Sequence, residues 1–262
     1  MKKTYIRMFL RAFFIQALWN FERLQNAGFL FVMKPFFDKI YKDKTARREA
    51  FLRHTGFFNT HPYMANVIVA IGANTEREIS EKGLQSALDV NLLKSSMAGP
   101  LAAIGDYYFW GTLRPVVAIF CIFLAILFSN VLSCDFSAYA VIIPIIFLLA
   151  YNAIHIPVRL WLLIAGLKLD RDSVYFIAKA QIKFILEALK YAGVILLVAS
   201  IVLYFKTCGF GPVNNIFSGG VVPDAAILGA VLVLSALFGK FSSTFMFYTL
   251  IILCIVISYV GM

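Results

Sequence analysis

The sequence predicts an all-α integral membrane protein, a multi-pass helical bundle with N-terminal amphipathic and re-entrant segments. Of its 262 residues, 61% are hydrophobic and only 15% are charged, whereas soluble domains are about 45–50% apolar and about 25% charged. The mean hydropathy is +0.82. Several apolar runs also approach or exceed the about 20 residues that a helix needs to cross a bilayer. These observations exclude soluble enzymes, disordered tails and nucleic-acid modules.

The positive charge is concentrated at the beginning of the chain. The formal net charge is +10, and half of the 24 basic residues lie within residues 1–54. In so apolar a chain, this asymmetry indicates a cytoplasmic surface beside anionic lipid. We therefore expect a lipid bilayer as a partner, and no nucleic acid.

Residues 1–112 form the first predicted region, and their segments are amphipathic and often interrupted by charge. At helical spacing over residues 4–33, the polar side chains of Gln16, Asn20 and Arg23 fall close together. Such segments lie in the membrane interface or enter the membrane as broken elements covered by protein. Small residues bounded by Gly-Pro and Gly-Asp over 97–106 favour a tight re-entrant hairpin.

Residues 113–262 form the second predicted region, a transmembrane helical part of the same single domain. Its apolar runs are 116–133, 137–165, 191–205, 225–238 and 244–260. The third and fourth runs are short and must either recruit neighbouring residues to cross or be partly sheltered by protein. Pro144 and Pro157 predict a kink in the second run or its early exit from lipid. Placing the basic loops inside puts the N-terminus in the cytoplasm and the C-terminus outside.

The cysteines show no metal-binding spacing, and the first residues show no signal-peptide cleavage site. Cys134 and Cys208 fall in predicted external loops, so a disulfide is one alternative. Four free thiols used as small apolar residues are the favoured alternative. The sequence indicates no metal site, cofactor or catalytic residue.

Three polar and aromatic motifs lie in the first region and at its boundary. The first motif is Trp-Asn-Phe-Glu-Arg-Leu-Gln at 19–25, followed by Gly28. The second motif is Arg-His at 53–54, with Phe-Phe-Asn-Thr at 57–60 and Pro62. The third motif is Met-Ala-Gly-Pro-Leu-Ala at 97–102, with Gly-Asp at 105–106, Phe-Trp-Gly-Thr at 109–112 and Arg-Pro at 114–115. Together and in this order, they resemble the IID subunit of mannose-family (mannose/fructose/sorbose) sugar phosphotransferase systems. The chain departs from that pattern at Ala98, Ala103, Tyr107 and Tyr108 and lacks its Gly-Tyr-x-x-G element.

The resemblance implies a multi-pass subunit of a permease in the bacterial inner (plasma) membrane. It implies a hetero-oligomer in which a IIC membrane subunit completes the path for a hexose or amino-sugar. It also implies that IIA and IIB cytoplasmic proteins carry the phosphoryl group, so that this chain is not itself an enzyme. A standalone secondary transporter or channel, and a scaffold subunit without sugar contact, remain the alternatives.

Six residues of the motifs are candidates for sugar binding. They are Glu22, Asn59, Asn20, His54, Gln25 and Asp106. A sugar hydroxyl needs both donors and acceptors, and an amide supplies both. An ionisable group at membrane depth also suggests function.

Four of the candidates have a structural alternative. Instead of binding sugar, Glu22 could form a solvated ion pair with Arg23. Asn20 could instead belong to a polar network between helices. Asp106 is better explained as a helix N-cap. His54 suggests a hydrogen-bonding role at the site or a structural role, with phosphorylation the less favoured interpretation. We expect His61 and His155 to be structural, and the aromatic run 107–110 to form an interfacial belt or helix packing.

Overall fold

The computed structural model describes residues 1–83, 90–131, 136–179 and 182–208. Their α-helices are α1 (Lys2–Ala12), α2 (Asn26–Ile40), α3 (Lys44–Arg53), α4 (Ala65–Lys82), α5 (Val90–Gly105), α6 (Arg114–Ile126), α7 (Phe136–Leu169), α8 (Asp172–Lys179) and α9 (Ile182–Cys208). Two π-helical segments, Asp106–Leu113 and Leu127–Val131, follow α5 and α6 without a break. The predicted all-α class is confirmed.

Among the described residues, three stretches are long and apolar enough to cross a membrane. They are Val90–Ser129, Tyr139–Leu169 and Glu187–Tyr204. The second lies in α7, which runs on as one helix past Pro144 and Pro157. The third lies in α9 and recruits residues before the apolar run, as predicted. The runs 225–238 and 244–260, the C-terminus and Cys134 lie outside the described residues.

The chain divides into two compact units. The first comprises Met1–Arg114 and Ala150–Ile185, and the second comprises Pro115–Leu149 with the described residues from Leu186 onward. In the second unit, Gly193 of α9 meets Val116 of α6, because a Cβ there would lie 2.9 Å from a Val116 methyl carbon. All three motifs belong to the first unit, except Pro115. The division of the chain at residues 112 and 113 stays a prediction.

The core of the first unit is built around α4. Its first turns are buried on every side, from Ala65 to Ala73. Two glycines of the first unit lie where the chain approaches another segment closely. A Cβ on Gly166 of α7 would lie 2.6 Å from the Cβ of Ala70 in α4. A Cβ on Gly28 of α2 would lie 1.8 Å from the Ile15 carbonyl oxygen. These positions let the backbones touch, which any side chain would prevent.

The hairpin expected over 97–106 is wrong, because α5 continues through Pro100 to Gly105 and into the π-helical segment. The small residues serve close packing rather than a turn: a Cβ on Gly105 would lie 2.5 Å from the Cβ of His61. A proline within such a helix is tolerated because neighbouring protein can satisfy the freed backbone carbonyl. Asp106 is for the same reason not the N-cap of a separate helix.

The continuous helical spacing used for residues 4–33 is also wrong, because the helix ends at Ala12 and resumes at Asn26. Leu24 has a positive φ of 53°, which no α-helix accommodates. The side-chain Oδ1 of Asn20 accepts a hydrogen bond from the Arg23 amide at 2.8 Å. Asparagine competes in this way with the helical backbone bonds, which favours a turn here.

Candidate functional site

The first motif folds into a tight loop over residues 20–24. Asn20 and Leu24 exchange two backbone hydrogen bonds, each of 3.0 Å. The side-chain amide of Asn20 also donates to Oδ1 of Asn26, at the start of α2, at 2.9 Å. Asn20 is half-buried, and both ends of its amide are used locally. Its side chain therefore stabilises the loop, in agreement with the structural alternative.

The second motif runs beside this loop and is fixed to it by Gln25. The Gln25 amide N–H donates to the Phe58 carbonyl at 2.8 Å. The Gln25 side chain is buried, donates to the Thr60 carbonyl at 2.9 Å and accepts from the Thr60 N–H at 3.1 Å. Gln25 thus pairs with both polar groups of one residue, as a neighbouring strand would. It holds the second motif in place and is not exposed for a ligand.

Glu22 and Asn59 remain exposed on these two paired segments. The Glu22 side chain is 79% exposed and lies 3.1 Å from an Arg23 guanidinium nitrogen. The two residues meet because the chain turns here, whereas neighbours on a helix point to different faces. An ion pair this exposed contributes little to stability. Phe21, between Asn20 and Glu22, is 93% exposed.

The third motif packs against the second along α5 and the π-helical segment. Thr60 donates from its hydroxyl to the Ala98 carbonyl at 2.9 Å. In the π-helical segment that continues α5, Phe109 stacks on His61 with ring centroids 5.2 Å apart. Asp106 is exposed on the same stretch. The fold therefore brings the three motifs together and leaves three candidates accessible: Glu22, Asn59 and Asp106.

His54 lies in a buried charged network, away from solvent. Its Nε2 lies 3.0 Å from a Glu76 carboxylate oxygen. Arg53 donates to the two oxygens of the same carboxylate at 3.0 and 2.8 Å, and the Tyr41 hydroxyl donates at 2.7 Å. The network joins α3 and α4 to Tyr41, the residue that follows α2, and it leaves His54 with no exposed surface.

The pKa values in this network follow from burial and hydrogen bonding. Burial alone raises the pKa of Glu76, but hydrogen bonds from His54, Arg53 and Tyr41 outweigh it and lower this pKa to about 2. Burial lowers the pKa of His54, against the effect of its hydrogen bond to Glu76. Burial and the bond to Glu76 raise the pKa of the Tyr41 hydroxyl. At neutral pH the network is thus an ionised Glu76 held by Arg53, with a neutral His54.

Lys94 of α5 completes this region and was not a candidate. Its ammonium donates to the His54 carbonyl at 3.2 Å and lies 4.4 Å from the Phe29 ring centroid. This carbonyl belongs to His54, which directly follows α3, and a cation is favourable at the C-terminal end of a helix because of the helix dipole. Lys94 and Glu76 are both fully buried. For Glu76 the sequence held a signal, because it lies three residues after Ala73 and seven after Val69, on an apolar face of α4.

His61 and His155 pack among aromatic rings, as expected for structural residues. Tyr63 stacks on His155 with centroids 4.5 Å apart, and His61 contacts Trp110 at 4.7 Å. Burial and the nearby Arg159 charge lower the pKa of His61 to about 4. Within the aromatic run, Phe109 is buried in this packing, while Tyr107 and Trp110 are exposed. In the part of the chain that the structure describes, no group of three His, Cys, Asp or Glu side chains could hold a metal ion.

Comparisons with known proteins agree with the motif pattern. Residues 1–262 match the model of the PTS system mannose/fructose/sorbose family IID component. The chain is 40% identical over 118 residues to the fructose permease IID component of Bacillus subtilis, which is 45% of this chain and 42% of that protein. It is 40% identical over 112 residues to the mannose-specific EIID component of Escherichia coli K12, 42% of this chain and 40% of that protein. With the sorbose-specific EIID component of Klebsiella pneumoniae it shares 33% over 154 residues, 59% and 52% of the two chains.

Two solved structures share the fold over the whole chain. One, described as a membrane protein, has a TM-score of 0.67 and 22% identity and is covered to 98%. The other is the mannose transporter ManYZ in complex with microcin E492, with a TM-score of 0.57, 24% identity and 96% coverage. The chain spans about half or less of the length of the curated relatives that it matches, 40–52%. The match of the family model to every residue shows that this chain belongs to the mannose/fructose/sorbose family of phosphotransferase-system IID components.

Proposed function

We propose that this chain is a membrane subunit of a sugar phosphotransferase-system permease in the bacterial plasma membrane. With a IIC subunit it forms the path by which a hexose or amino-sugar enters, and IIA and IIB components phosphorylate that sugar. Membership of the IID family supports the proposal. The structural observation that carries it is the pairing of the first two motifs through Gln25 and Thr60, which leaves Glu22 and Asn59 exposed on the two paired segments.

The surroundings of Glu22 and Asn59 suit a site at an interface between subunits. Phe21 and Phe57 are their neighbours in the sequence, and these rings are 93% and 57% exposed. Exposed apolar side chains of this size mark a surface that another protein or lipid covers. A carboxylate and an amide within such a surface supply the acceptors and donors that sugar hydroxyls need. We place Asp106, exposed on the third motif, at the edge of the same site.

We assign the phosphoryl-transfer step to the other components, because no histidine of this chain is accessible. The chain has three histidines. His54, His61 and His155 are 0%, 1% and 6% exposed. A donor protein must bring its phosphohistidine into contact with the acceptor nitrogen, which burial of this degree prevents. The chain therefore acts as a non-phosphorylated transport subunit.

Sugar uptake paired with co-purification tests the site. The variants Glu22→Gln and Asn59→Ala are co-expressed with the IIC, IIB and IIA partners, and phosphorylation-dependent uptake is measured with a panel of sugars. Loss of one hydrogen-bonding partner costs about 1–3 kcal/mol, so uptake should fall by about tenfold to a hundredfold. Glu78→Gln and Ser80→Ala are matched controls, because both residues are exposed near the end of α4, and they should transport normally.

The possible outcomes separate the competing functions. Reduced uptake with intact IIC co-purification supports the site. Lost uptake with lost co-purification identifies Glu22 and Asn59 as assembly residues, which contradicts the site and favours a scaffold subunit. Normal uptake in both variants refutes the assignment. Uptake without any IIC, IIB or IIA component would favour a standalone transporter or channel.

A further inference from the structure

The exposed face of α1 combines apolar and basic side chains. Residues four apart form rows along a helix. Thr4, Met8 and Ala12 form the buried row. On the opposite side, Ile6 and Leu10 are 60% and 57% exposed. This apolar pair is flanked by three exposed basic side chains, those of Lys2, Lys3 and Arg7.

The length of α1 determines what can cover this face. Its 11 residues span about 16 Å at about 1.5 Å per residue, whereas the hydrocarbon core of a bilayer is about 30 Å thick. The helix is too short to cross. A short helix with an apolar row between cationic side chains is suited to the boundary between headgroups and acyl chains.

The charges of α1 are not neutralised by the protein. The first 21 residues contain no Asp or Glu. Among the described residues, no acidic side chain forms an ion pair with Lys2, Lys3 or Arg7. Arg11 differs from them, because its guanidinium donates to the Phe31 carbonyl at 3.0 Å and covers the Phe31 ring. The three outward cations are thus available for external anions.

We propose that α1 is an interfacial anchor that binds the headgroups of anionic phospholipids, with Ile6 and Leu10 inserted between them. The basic side chains favour lipid over a protein surface as the occupant, since lysine is depleted in the cores of protein interfaces. Juxtamembrane basic residues are attracted to anionic lipid by about fivefold in affinity each.

The end of α1 is held by α7. The Ala12 carbonyl at the end of α1 accepts a hydrogen bond of 2.6 Å from Arg159 of α7. Arg159 also lies over the Phe13 ring, 4.1 Å from its centroid. Residues 13–19, which lead into the first motif, begin at this fixed point.

Hydrogen–deuterium exchange of the peptide covering residues 2–12 tests the proposal without reference to sugar. The chain is purified alone and with its co-expressed IIC subunit, and is placed in nanodiscs of pure phosphatidylcholine or of phosphatidylcholine with 30% phosphatidylglycerol. We expect slower exchange of α1 with phosphatidylglycerol, in both preparations, and reversal by high salt. Lys3→Glu/Arg7→Glu should abolish the lipid effect, a change of roughly thirtyfold in the opening equilibrium. Lys42→Glu/Lys44→Glu, exposed beside α3, is the matched control and should retain the effect.

Ile6→Ser/Leu10→Ser separates insertion from charge attraction, because it should weaken α1 protection in both lipids. Equal exchange of α1 in the two lipids would overturn the proposal, as would an unchanged lipid effect in the charge-reversal variant. Protection that appears only with IIC, whatever the lipid, would identify α1 as a subunit interface and also overturn it. Because the measurement involves no transport, its failure is distinguishable from failure of the proposed function.

Discussion

Replacing Glu76 by glutamine should destabilise the first unit more than any single change at the exposed candidates. Hydrogen bonds outweigh burial and lower the pKa of Glu76 from 4.5 to about 2. Since a tenfold change in proton affinity corresponds to about 1.36 kcal/mol, the ionised carboxylate contributes about 3 kcal/mol to folding. Glutamine keeps the size of the side chain but leaves the Arg53 guanidinium without its counter-ion. Breaking a buried ion pair costs about 3–5 kcal/mol, which agrees with the first figure.

The pH dependence gives the same prediction an independent check. Because the folded-state pKa is depressed, the contribution of Glu76 is fully present above pH 4.5 and is lost as the pH falls towards 2. The lowered pKa of His54 acts in the same direction, since its protonation below about pH 6.5 disfavours the folded state. The titration of Glu76 itself predicts that the stability difference between wild type and Glu76→Gln shrinks as the pH falls from 4.5 towards 2.

Thermal unfolding of the detergent-purified chain, alone and with IIC, measures this difference. A loss of about 3 kcal/mol corresponds to a Tm about 6–12 °C lower, by the scale for domains of 150–250 residues. Glu78→Gln, exposed two residues further along the same helix, is the matched control and should leave Tm within a degree or two. A Glu76→Gln variant with wild-type Tm at pH 7, or a stability difference that does not shrink between pH 4.5 and 2, would refute the reasoning.

Four further measurements test other parts of the structure and the topology. Gln25→Leu leaves the buried Thr60 N–H and carbonyl without their side-chain partner and should cost about 1–3 kcal/mol; Tm is compared with that of Gln16→Leu, an exposed site. Gly105→Ala places a Cβ 2.5 Å from His61 and should cost about 1–3 kcal/mol, whereas Gly99→Ala, with open space around it, should not lower Tm. Labelled phospho-donor should leave no acid-labile phosphate on this chain, and such label lost in His54→Ala would contradict the buried position of His54. Accessibility labelling of terminal tags should find the N-terminus inside and the C-terminus outside, and tags reactive from one side would refute this topology.

Much of the candidate site could be recognised from the sequence because its residues lie in short motifs. Glu22, Asn59 and Asp106 were found in this way and are exposed in the structure. Asn20, Gln25 and His54 were found by the same reasoning but are engaged internally. A motif shows that a side chain matters without showing whether it bonds a ligand or a backbone. Glu76 and Lys94 were missed because their partners, Arg53 and the His54 carbonyl, are 23 and 40 residues away.

The sequence by itself determined the membrane class, the family and the approximate positions of the apolar helices over Tyr139–Leu169 and Glu187–Tyr204, because hydropathy and motifs are local properties of the chain. It placed the start of the first apolar helix at residue 116, whereas the apolar stretch in the structure begins at Val90. The tertiary structure alone decided the purpose of the small residues around Gly105. The small residues over 97–106 are consistent with a hairpin or with close packing of a continuous helix. Only the contact between Gly105 and His61 distinguishes the two. It also decided the environment of each polar candidate. Burial depends on segments distant in the chain, such as Gln25 and Thr60, being brought within hydrogen-bonding distance.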